Sequence, residues 1–558
     1  IIIYIKHAAN AKRKHERFKN MRYIQTLNGI WNFSFTGKNR PEQPFKTDHV
    51  MTVPGCFDLI EPFCGKRGYA LYTRKVHASG LQLLEIDGAG ISGEVFWDGE
   101  KIGLIQYAYM PESFVFNAGD HGEHTLAIVL NNCHSGQFQA DCDFFANGGI
   151  YGDVTLTALP GDYISRVRIS TEDYRTGRIR IRAEYSGKGI VPVQMKFNTG
   201  FQLNSQFTDG HLDCTLNLPD RRLWSLDSPE LHTVELSAGE DQVLATFGIR
   251  EFSAAGRKLY LNGKEIKLYG VNRHESHPTT GAAVPPQIIN TDVALLKNAG
   301  FNFIRGSHYP QRKTLLELCD RMGMLVWEET LGWGVKAPAL AKPDYMESQL
   351  EQAEKMTCHS FNHPCVVIRG FLNETDSHLP EVRPVIKALY DRIRSIDAHV
   401  LISFASNKYE QDVCTDLVDI VSMNPYPGWY DSRADSISTI DQVFPRLTAL
   451  SKALPQDKPF LISEIGAEAL LGFRDPLKTY WSEEYQAELL QKVFEYVSQT
   501  DCAGVSIWQY ADTRSYVCGS GIFARARGFN NKGVVDEYRR PKQAWDVLRN
   551  NLSNNHGG

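Results

Sequence analysis

The second half of the chain constrains the fold most, because strand-like apolar runs alternate there with amphipathic helical stretches. Eight such runs follow residue 254, at 266–271, 301–305, 324–328, 366–371, 400–404, 420–423, 460–463 and 504–508. The helical stretches between them are 291–298, 313–322, 346–359, 380–396, 437–453 and 482–498. Eight strands, each followed by a helix or crossover, predict a (β/α)₈ TIM barrel.

The residues before 254 show a different pattern, in which short alternating or apolar runs are separated by turn residues. From residue 23 to 159 these runs and the Asp98-Gly99 hairpin signal predict a jelly-roll β-sandwich. From 161 to 252 two strictly alternating runs, 178–182 and 193–197, favour an immunoglobulin-like β-sandwich. We therefore predict a multidomain chain with a lead of unassigned function at 1–20, a jelly roll at 21–160, an immunoglobulin-like sandwich at 161–253 and the barrel at 254–558.

Composition excludes several classes of function. The chain has 60 Lys and Arg against 65 Asp and Glu, a net charge of -5. The overall charge therefore gives no electrostatic reason to bind nucleic acid. No apolar run approaches the roughly 20 residues of a membrane helix. The 11 cysteines are odd in number and form no Cys-x-x-Cys pair, which is typical of reduced thiols. We expect a cytoplasmic protein without nucleic-acid or membrane partners.

Two motifs point to cofactors, and neither meets its structural requirement. The glycines of 88–93 match G-x-G-x-x-G, but a strand-like run and a turn follow where that fingerprint needs a helix. The Cys- and His-rich segment 358–365 has none of the usual zinc spacings and precedes the fourth barrel strand, opposite the active face. We therefore expect no cofactor and no metal.

Two glutamates end strands of the predicted barrel, where catalytic side chains of such folds lie. Glu374 follows the fourth strand and Glu464 follows the seventh. Retaining glycosidases need two carboxyl groups about 5 to 5.5 Å apart, one as nucleophile and one as acid and base. Asn373 is placed to bind a sugar 2-hydroxyl. Taken alone, either glutamate could equally be a structural partner of an arginine.

Four motifs in one order make the pattern more specific. They are Tyr269-Gly270-Val271-Asn272-Arg273-His274-Glu275, Ser307-His308-Tyr309-Pro310, Asn373-Glu374 and Ser463-Glu464-Ile465-Gly466. With these motifs the chain resembles glycoside hydrolase family 2, whose sugar-binding sandwich, immunoglobulin-like sandwich and barrel follow in the order predicted above. The resemblance implies that Glu374 is the acid/base and Glu464 the nucleophile.

The segment after the eighth strand indicates the substrate class. Gly528-Phe529-Asn530-Asn531-Lys532-Gly533 looks like the Asn-x-Lys-Gly motif with which β-glucuronidases bind the sugar carboxylate. An ammonium and an amide are donors that a carboxylate uses fully. A plain surface turn is the alternative, but the position on the active face favours binding through Asn530 and Lys532. We expect Arg527 to assist them, with Arg514 and Arg525 as other candidates.

The resemblance implies further contacts with the sugar. Asp143 would reach the sugar hydroxyls from the first domain, and His308, Tyr426 and Trp508 would line the pocket. A turn-forming Asp and packed aromatic rings are the ordinary alternatives. The resemblance also implies a homo-oligomer and a small-molecule or oligosaccharide β-glucuronide as substrate.

These residues predict a retaining β-glucuronidase and leave alternatives open. Residues 508–514 depart from the pattern typical of glucuronidases, and Arg514 adds a cation, so a β-galacturonidase or mixed uronidase comes next, then a β-galactosidase. A non-catalytic carbohydrate-binding protein is the alternative of another class; a lyase or isomerase would need a Lys or His base or metal ligands. Residues 331–334 lead into no obvious long insertion, which favours an open site that accepts bulky or oligosaccharide aglycones.

Overall fold

The computed structural model describes residues 22–133, 144–430, 440–515 and 525–555. Two β-rich regions come first and a closed eight-stranded barrel follows, so the predicted fold class is confirmed. The predicted boundary at 160 falls between separate sheets, whereas the one at 253 falls inside the strand Phe252–Ala255; we retain the division into domains as a proposal. Within the described ranges, no helix is both long and apolar enough to cross a bilayer.

The first region is a sandwich of antiparallel sheets. A four-stranded sheet in the order β1-β13-β6-β10 and a six-stranded sheet in the order β3-β2-β5-β11-β8-β9 share one core, which includes Trp31, Tyr72 and Leu84. The strands are β1 Ile24–Thr26, β2 Gly29–Gly37, β3 His49–Val53, β4 Gly55–Cys56, β5 Tyr69–Ala78, β6 Leu81–Ile86, β7 Ala89–Gly90, β8 Ser92–Trp97, β9 Glu100–Ile105, β10 Glu112–Asn117, β11 Gly122–Asn131, β12 Gly149–Ile150 and β13 Val154–Ala158. Residues 88–93 lie in β7 and the start of β8, as the rejection of the dinucleotide fingerprint predicted.

The second region contains seven antiparallel strands in the order β14-β15-β18-β17-β16-β19-β20. Alternation puts Ile179, Ile181 and Ala183 of one strand into the core. The two end strands meet, because Asp241 accepts a hydrogen bond of 2.6 Å from the backbone N–H of Ile164. The strands are β14 Ile164–Asp173, β15 Arg178–Tyr185, β16 Ile190–Phe197, β17 Gln202–Thr208, β18 His211–Asn217, β19 His232–Ala238 and β20 Asp241–Phe247.

A small antiparallel sheet leads into the barrel, and all eight barrel strands overlap the predicted ones. The small sheet is β21 Phe252–Ala255, β22 Lys258–Leu261 and β23 Lys264–Ile266. The barrel strands are β24 Leu268–Arg273, β25 Phe303–Gly306, β26 Leu325–Glu329, β27 Val366–Asn373, β28 Leu401–Ser406, β29 Val421–Met423, β30 Phe460–Ile465 and β31 Gly504–Ile507. The barrel closes where β24 pairs with β31, and Gly504 is needed there because a Cβ would collide with the carbonyl oxygen of Leu268.

Helices surround the barrel and bury their apolar faces against it. The described α-helices are Pro286–Asn298, Lys313–Met322, Ala337–Leu340, Pro343–His359, Arg383–Ile396, Val443–Ala453, Glu483–Gln499 and Gln543–Asn555. Short 3₁₀ turns are Phe57–Leu59, Pro380–Val382, Tyr409–Gln411, Thr415–Leu417, Ile440–Gln442 and Ala526–Gly528. Beyond the last barrel strand, β32 Thr513–Arg514 pairs with β33 Phe529–Asn530, which fixes the segment that carries Lys532.

Candidate active site

Glu374 and Glu464 both lie at the carboxyl end of the barrel: Glu374 directly follows β27, and Glu464 lies near the end of β30. The register of β27 against β28 shifts between Gly370 and Asn373, and Glu374 adopts a left-handed backbone with φ of 54°. Such a conformation is costly for a residue with a Cβ and tends to occur where function needs a particular side-chain direction. The two predicted carboxyl groups are close enough for the charge of Glu374 to raise the pKa of Glu464.

Arg305, at the end of β25, connects the polar groups of the site. Its Nη1 donates to Oε1 of Glu464 at 2.7 Å and to Oδ1 of Asn272 at 3.0 Å. Its Nη2 donates to Oδ1 of Asn373 at 2.9 Å and lies 2.8 Å from Oε1 of Glu329. The guanidinium is fully buried, so these charge-assisted bonds act in a low dielectric. Arg305 therefore fixes the positions of four acceptors at once.

Glu464 receives a second strong hydrogen bond, from the hydroxyl of Tyr426 to Oε2 at 2.9 Å. Burial, together with the charge of Glu374, raises the pKa of Glu464 to about 8, although Arg305 and Tyr426 act in the opposite direction. Both oxygens of Glu464 are thus oriented by donors that favour its ionised form. A carboxylate held in this way can attack an electrophilic carbon without reorganising its surroundings.

Asn424 holds Glu374 and Asn373 together. Its Nδ2 donates to Oε1 of Glu374 at 2.9 Å and to Oδ1 of Asn373 at 3.2 Å. Its own Oδ1 accepts from the hydroxyl of Ser463 at 2.7 Å. The Nδ2 of Asn373 is buried and has no acceptor within the described part of the chain. Since a buried donor without an acceptor is costly, this amide is placed to bind a ligand hydroxyl.

His308 and Trp508 form an aromatic wall beside Glu464. Their rings stack at 5.1 Å with an interplanar angle of 18°, and Nε2 of His308 lies 3.9 Å from Oε1 of Glu464. Burial, with the nearby charge of Arg305, holds the pKa of His308 well below its usual range, so its imidazole is neutral at physiological pH. No described residue provides a hydrogen-bond partner for its Nε2. The structure thus brings His308, Tyr426 and Trp508 to the site where they were predicted.

Lys532 lies on the same face, buried among three aromatic rings. Its ammonium is 4.8 Å from the ring centroid of Tyr430, 5.3 Å from that of Trp429 and 5.8 Å from that of Tyr426. It also donates to the Tyr430 hydroxyl at 2.9 Å and lies 3.3 Å from Oε1 of Glu468. Asn530 is buried too, and its Oδ1 accepts from the backbone N–H of Lys532 at 3.3 Å. The buried ammonium of Lys532 thus lies beside the ring of Tyr426, whose hydroxyl is bonded to Glu464.

The three candidate arginines occupy different places. Arg525 forms an ion pair with Glu468, the residue that also contacts Lys532. Arg527 instead pairs with Glu537 at 2.9 Å, and its side chain is 45% exposed. Arg514 is exposed, with its guanidinium 5.0 Å from the ring centroid of Phe529. Arg527 remains a prediction, but the geometry gives Arg525 the stronger connection to Lys532.

The first region reaches the barrel mouth at Phe144 and Phe145; the predicted sugar-binding residue Asp143 lies outside the described residues. The ring of Phe144 is 4.9 Å from the ring of His274 and 6.3 Å from that of His308. The backbone N–H of Phe145 donates to the carbonyl of Arg514 at 2.9 Å. The jelly roll therefore packs against the active face within one chain, which the predicted role of Asp143 requires.

A second cluster of ionisable residues lies away from these glutamates. Asp320, His363 and Cys365 present ligand atoms within 4.8 Å of one another. Asp320 is already engaged, since it contacts Nδ1 of His363 at 2.5 Å and accepts from the backbone N–H of Cys365 at 3.0 Å. Burial raises the pKa of the Cys365 thiol well above its usual range, which opposes the thiolate that a metal requires. The contacts fit a structural role for Asp320, which holds the His363 ring and the Cys365 backbone in place.

Sequence reasoning did not select Arg305, Asn424, Tyr430 and Glu468. Arg305 had a recognisable signal, because an arginine that ends an otherwise apolar barrel strand must find buried partners. Asn424 also had a signal, because it directly follows the predicted sixth strand and lies two residues before Tyr426. Tyr430 and Glu468 lie on loops, where nothing in the sequence pattern reveals their approach to Lys532.

Comparison with known proteins assigns the family. The sequence model described as "Glycosyl hydrolases family 2, TIM barrel domain" matches residues 253–554. A solved family 2 β-galacturonidase from Eisenbergiella tayi, bound to galacturonate, is 31% identical with a TM-score of 0.86, and the match covers 96% of this chain and 97% of that one. The chain belongs to glycoside hydrolase family 2.

Curated relatives are named β-glucuronidase. The pig (Sus scrofa) protein is 29% identical over 424 residues, which cover 73% of this chain and 64% of that protein. The protein of Streptococcus agalactiae is 25% identical over 93% of this chain and 94% of its own length. The chain thus spans somewhat less than two thirds of the mammalian relatives and nearly all of the streptococcal one.

Proposed function

We propose that this protein hydrolyses β-D-glucuronides with retention of configuration. The observation that carries the proposal is the placement of buried Lys532 beside Tyr426, whose hydroxyl is bonded to Glu464. A carboxylate at C6 of a bound sugar would meet the ammonium while the anomeric carbon faces Glu464. Relatives named β-glucuronidase support this substrate.

In the proposed reaction Glu464 attacks the anomeric carbon while Glu374 protonates the leaving oxygen. Because the charge of Glu374 raises the pKa of Glu464, the two carboxyl groups titrate as a pair. Arg305 and Tyr426 favour the charge on Glu464, which leaves the proton for Glu374. After the aglycone departs, Glu374 accepts a proton from water, and the water cleaves the glycosyl-enzyme ester.

Hydrolysis of β-D-galacturonides is the second candidate, and a specific finding favours it. The Eisenbergiella tayi β-galacturonidase, at 31% identity over 96% of this chain, was solved with galacturonate bound. Both uronides carry the same carboxylate at C6 and differ at the C4 hydroxyl, so Lys532 would serve either sugar.

We also propose that the protein forms a homo-oligomer, as the resemblance to the family implies.

The short segment between β26 and the helix that begins at Ala337 is the basis for a proposal about the aglycone. Asn373 exchanges backbone hydrogen bonds with the segment after β26: its N–H donates to Gly332 at 3.0 Å, and Gly334 donates to its carbonyl at 2.7 Å. This segment runs directly into the helix that begins at Ala337. We propose that oligosaccharide uronides are cleaved with higher kcat/KM than small aryl uronides, and the opposite order would contradict it.

The test compares the 4-nitrophenyl β-glucuronide and β-galacturonide with the matched β-glucoside and β-galactoside. We expect the wild type to prefer uronides, Lys532→Ala to remove that preference, and Glu464→Gln to abolish turnover of all four. Arg540→Ala is the control, because it removes an exposed cation of the same C-terminal segment that is paired with Asp536. A wild type that cleaves the neutral galactoside best, with no change in Lys532→Ala, would refute the uronide assignment.

A further inference from the structure

Glu468 is a buried carboxylate that the proposed mechanism does not use. It follows Glu464 by four residues, and only 1% of its surface is exposed. Its Oε1 lies 3.3 Å from Nζ of Lys532 and also pairs with Arg525. Its Oε2 accepts from the backbone N–H of Asn531 at 3.4 Å. A buried carboxylate without a counter-charge would be costly, so Lys532 and Arg525 compensate the charge of Glu468.

The backbone around Glu468 is fixed to the segment that carries Lys532. Gln486 is fully buried, and its Nε2 donates to the carbonyls of Ala467, Lys532 and Gly533 at 2.9, 3.3 and 3.1 Å. Lys542 also joins the two segments, because its Nζ donates to the carbonyls of Ala469 and Asn531 at 2.7 and 2.9 Å. The carboxylate and the ammonium thus have little freedom to move apart.

Lys532 has a long flexible side chain that needs such constraints. An ammonium has three N–H donors; the Tyr430 hydroxyl takes one, and Glu468 takes a second. The rings of Tyr426 and Trp429 line the remaining side. Because Glu468 is fixed, the third N–H of the Lys532 ammonium points in one direction. The lysine side chain therefore loses less conformational entropy when a ligand carboxylate binds.

We propose that Glu468 is a specificity-determining positioning residue, which holds the Lys532 ammonium in the orientation that recognises the carboxylate of a uronide. This inference rests on the proposed function. Glu468 acts through Lys532 and takes no part in bond cleavage. Its negative charge also repels a bound carboxylate, so the sign of the change in KM on its removal distinguishes positioning from repulsion.

The experiment measures KM and kcat of Glu468→Gln and Glu468→Asp on the β-glucuronide and the matched neutral β-glucoside. For Glu468→Gln we expect KM for the uronide to rise about 10- to 100-fold, as for loss of a charge-assisted contact, with kcat/KM for the glucoside unchanged. Glu468→Asp, which retains the charge, should restore part of the loss. A lower uronide KM, or equal losses on both substrates, would overturn the proposal.

A double-mutant cycle removes the ambiguity of a structural effect. In a Lys532→Ala background, Glu468→Gln should not raise uronide KM any further, whereas a structural role predicts an additional loss. If Glu468→Gln does not fold, Glu468→Asp in the wild-type and Lys532→Ala backgrounds distinguishes positioning of Lys532 from a structural role. A wild type without preference for uronides would refute the proposed function; a preference that Glu468→Gln leaves intact would refute only the role of Glu468.

Discussion

Tyr426 donates a hydrogen bond of 2.9 Å from its hydroxyl to Oε2 of Glu464, and both side chains are buried. The centroid of the same ring lies 5.8 Å from the ammonium of Lys532. One tyrosine therefore lies between the carboxylate assigned to attack and the cation assigned to recognise the substrate. In the proposed function, a pyranose with its anomeric carbon at Glu464 would extend across this ring toward Lys532.

Tyr426→Phe should separate these two roles, because it keeps the ring and removes the hydroxyl. We expect kcat to fall about 10- to 100-fold on uronide and neutral substrates alike, with little change in KM. Because the Tyr426 bond lowers the pKa of Glu464, the ascending limb of kcat/KM against pH should move to higher pH. Tyr430→Phe is the control, since that hydroxyl bonds Lys532. An effect on uronide KM alone would assign Tyr426 to substrate recognition.

Arg305→Met should affect both stability and activity. It leaves Glu329 and Glu464 buried without their shared cation, and breaking such a pair costs about 3–5 kcal/mol. The pKa of Glu464 would also rise, because Arg305 opposes the effect of burial, so turnover should be lost. Thermal unfolding and activity assays check both effects.

Arg527→Met is the control for stability, because it breaks a partly exposed pair with Glu537. It should lower the free energy of unfolding by less than about 1 kcal/mol. Equal shifts in Tm for the two variants would contradict the central role of Arg305.

Glu464→Gln should stabilise the protein increasingly as pH rises. Burial, together with the charge of Glu374, raises the pKa of Glu464 from an ordinary value near 4.5 to about 8. Over this interval the unfolded chain has released a proton that the folded pair of Glu464 and Glu374 retains, whichever of the two carboxyl groups carries it. Stability from this group is therefore greatest below about pH 4.5 and falls by up to about 1.4 kcal/mol per unit until pH 8. Glutamine does not titrate. The difference in Tm between variant and wild type should grow from pH 5 to 8, and a constant difference would show that the pair of Glu464 and Glu374 retains no such proton.

The fold was predictable because its strongest signals are local. Barrel strands buried on both faces read as continuous apolar runs, and Gly504 to Ile507 or Phe460 to Ile465 need no knowledge of their neighbours to be identified. The ends of elements were less exact: the first barrel strand begins at Leu268, two residues after the predicted start. Tertiary pairing decides such boundaries, and a single sequence does not contain it.

The site was predictable where it lies at strand ends and less so where loops meet. Glu374, Glu464, His308 and Tyr426 follow from the rule that barrel strands point their carboxyl ends at the site. The contacts of Lys532 with Glu468 and Tyr430 join residues 64 and 102 positions apart. Such contacts depend on how three loops pack, so the pattern indicated a cation at Lys532 without its counter-charge.

Asn373 provides a prediction about the substrate, because its buried Nδ2 has no acceptor in the described ranges. If this donor binds the sugar 2-hydroxyl, Asn373→Ala should lower kcat/KM on the β-glucuronide about 10- to 100-fold. Part of that loss will come from its Oδ1, which accepts from Arg305 and Asn424. A substrate without the 2-hydroxyl separates the two contributions.

With the 2-deoxy glucuronide we expect the wild type to be slower and Asn373→Ala to lose much less than it does on the parent substrate. Asn424→Ala is the matched control, because its Nδ2 is already bonded to Glu374 and Asn373 and its loss should be the same on both substrates. If Asn373→Ala loses as much on the 2-deoxy substrate as on the parent, Asn373 serves only to position Arg305 and Asn424. A smaller loss would place the 2-hydroxyl at Nδ2 and so orient the sugar between Glu374 and Glu464.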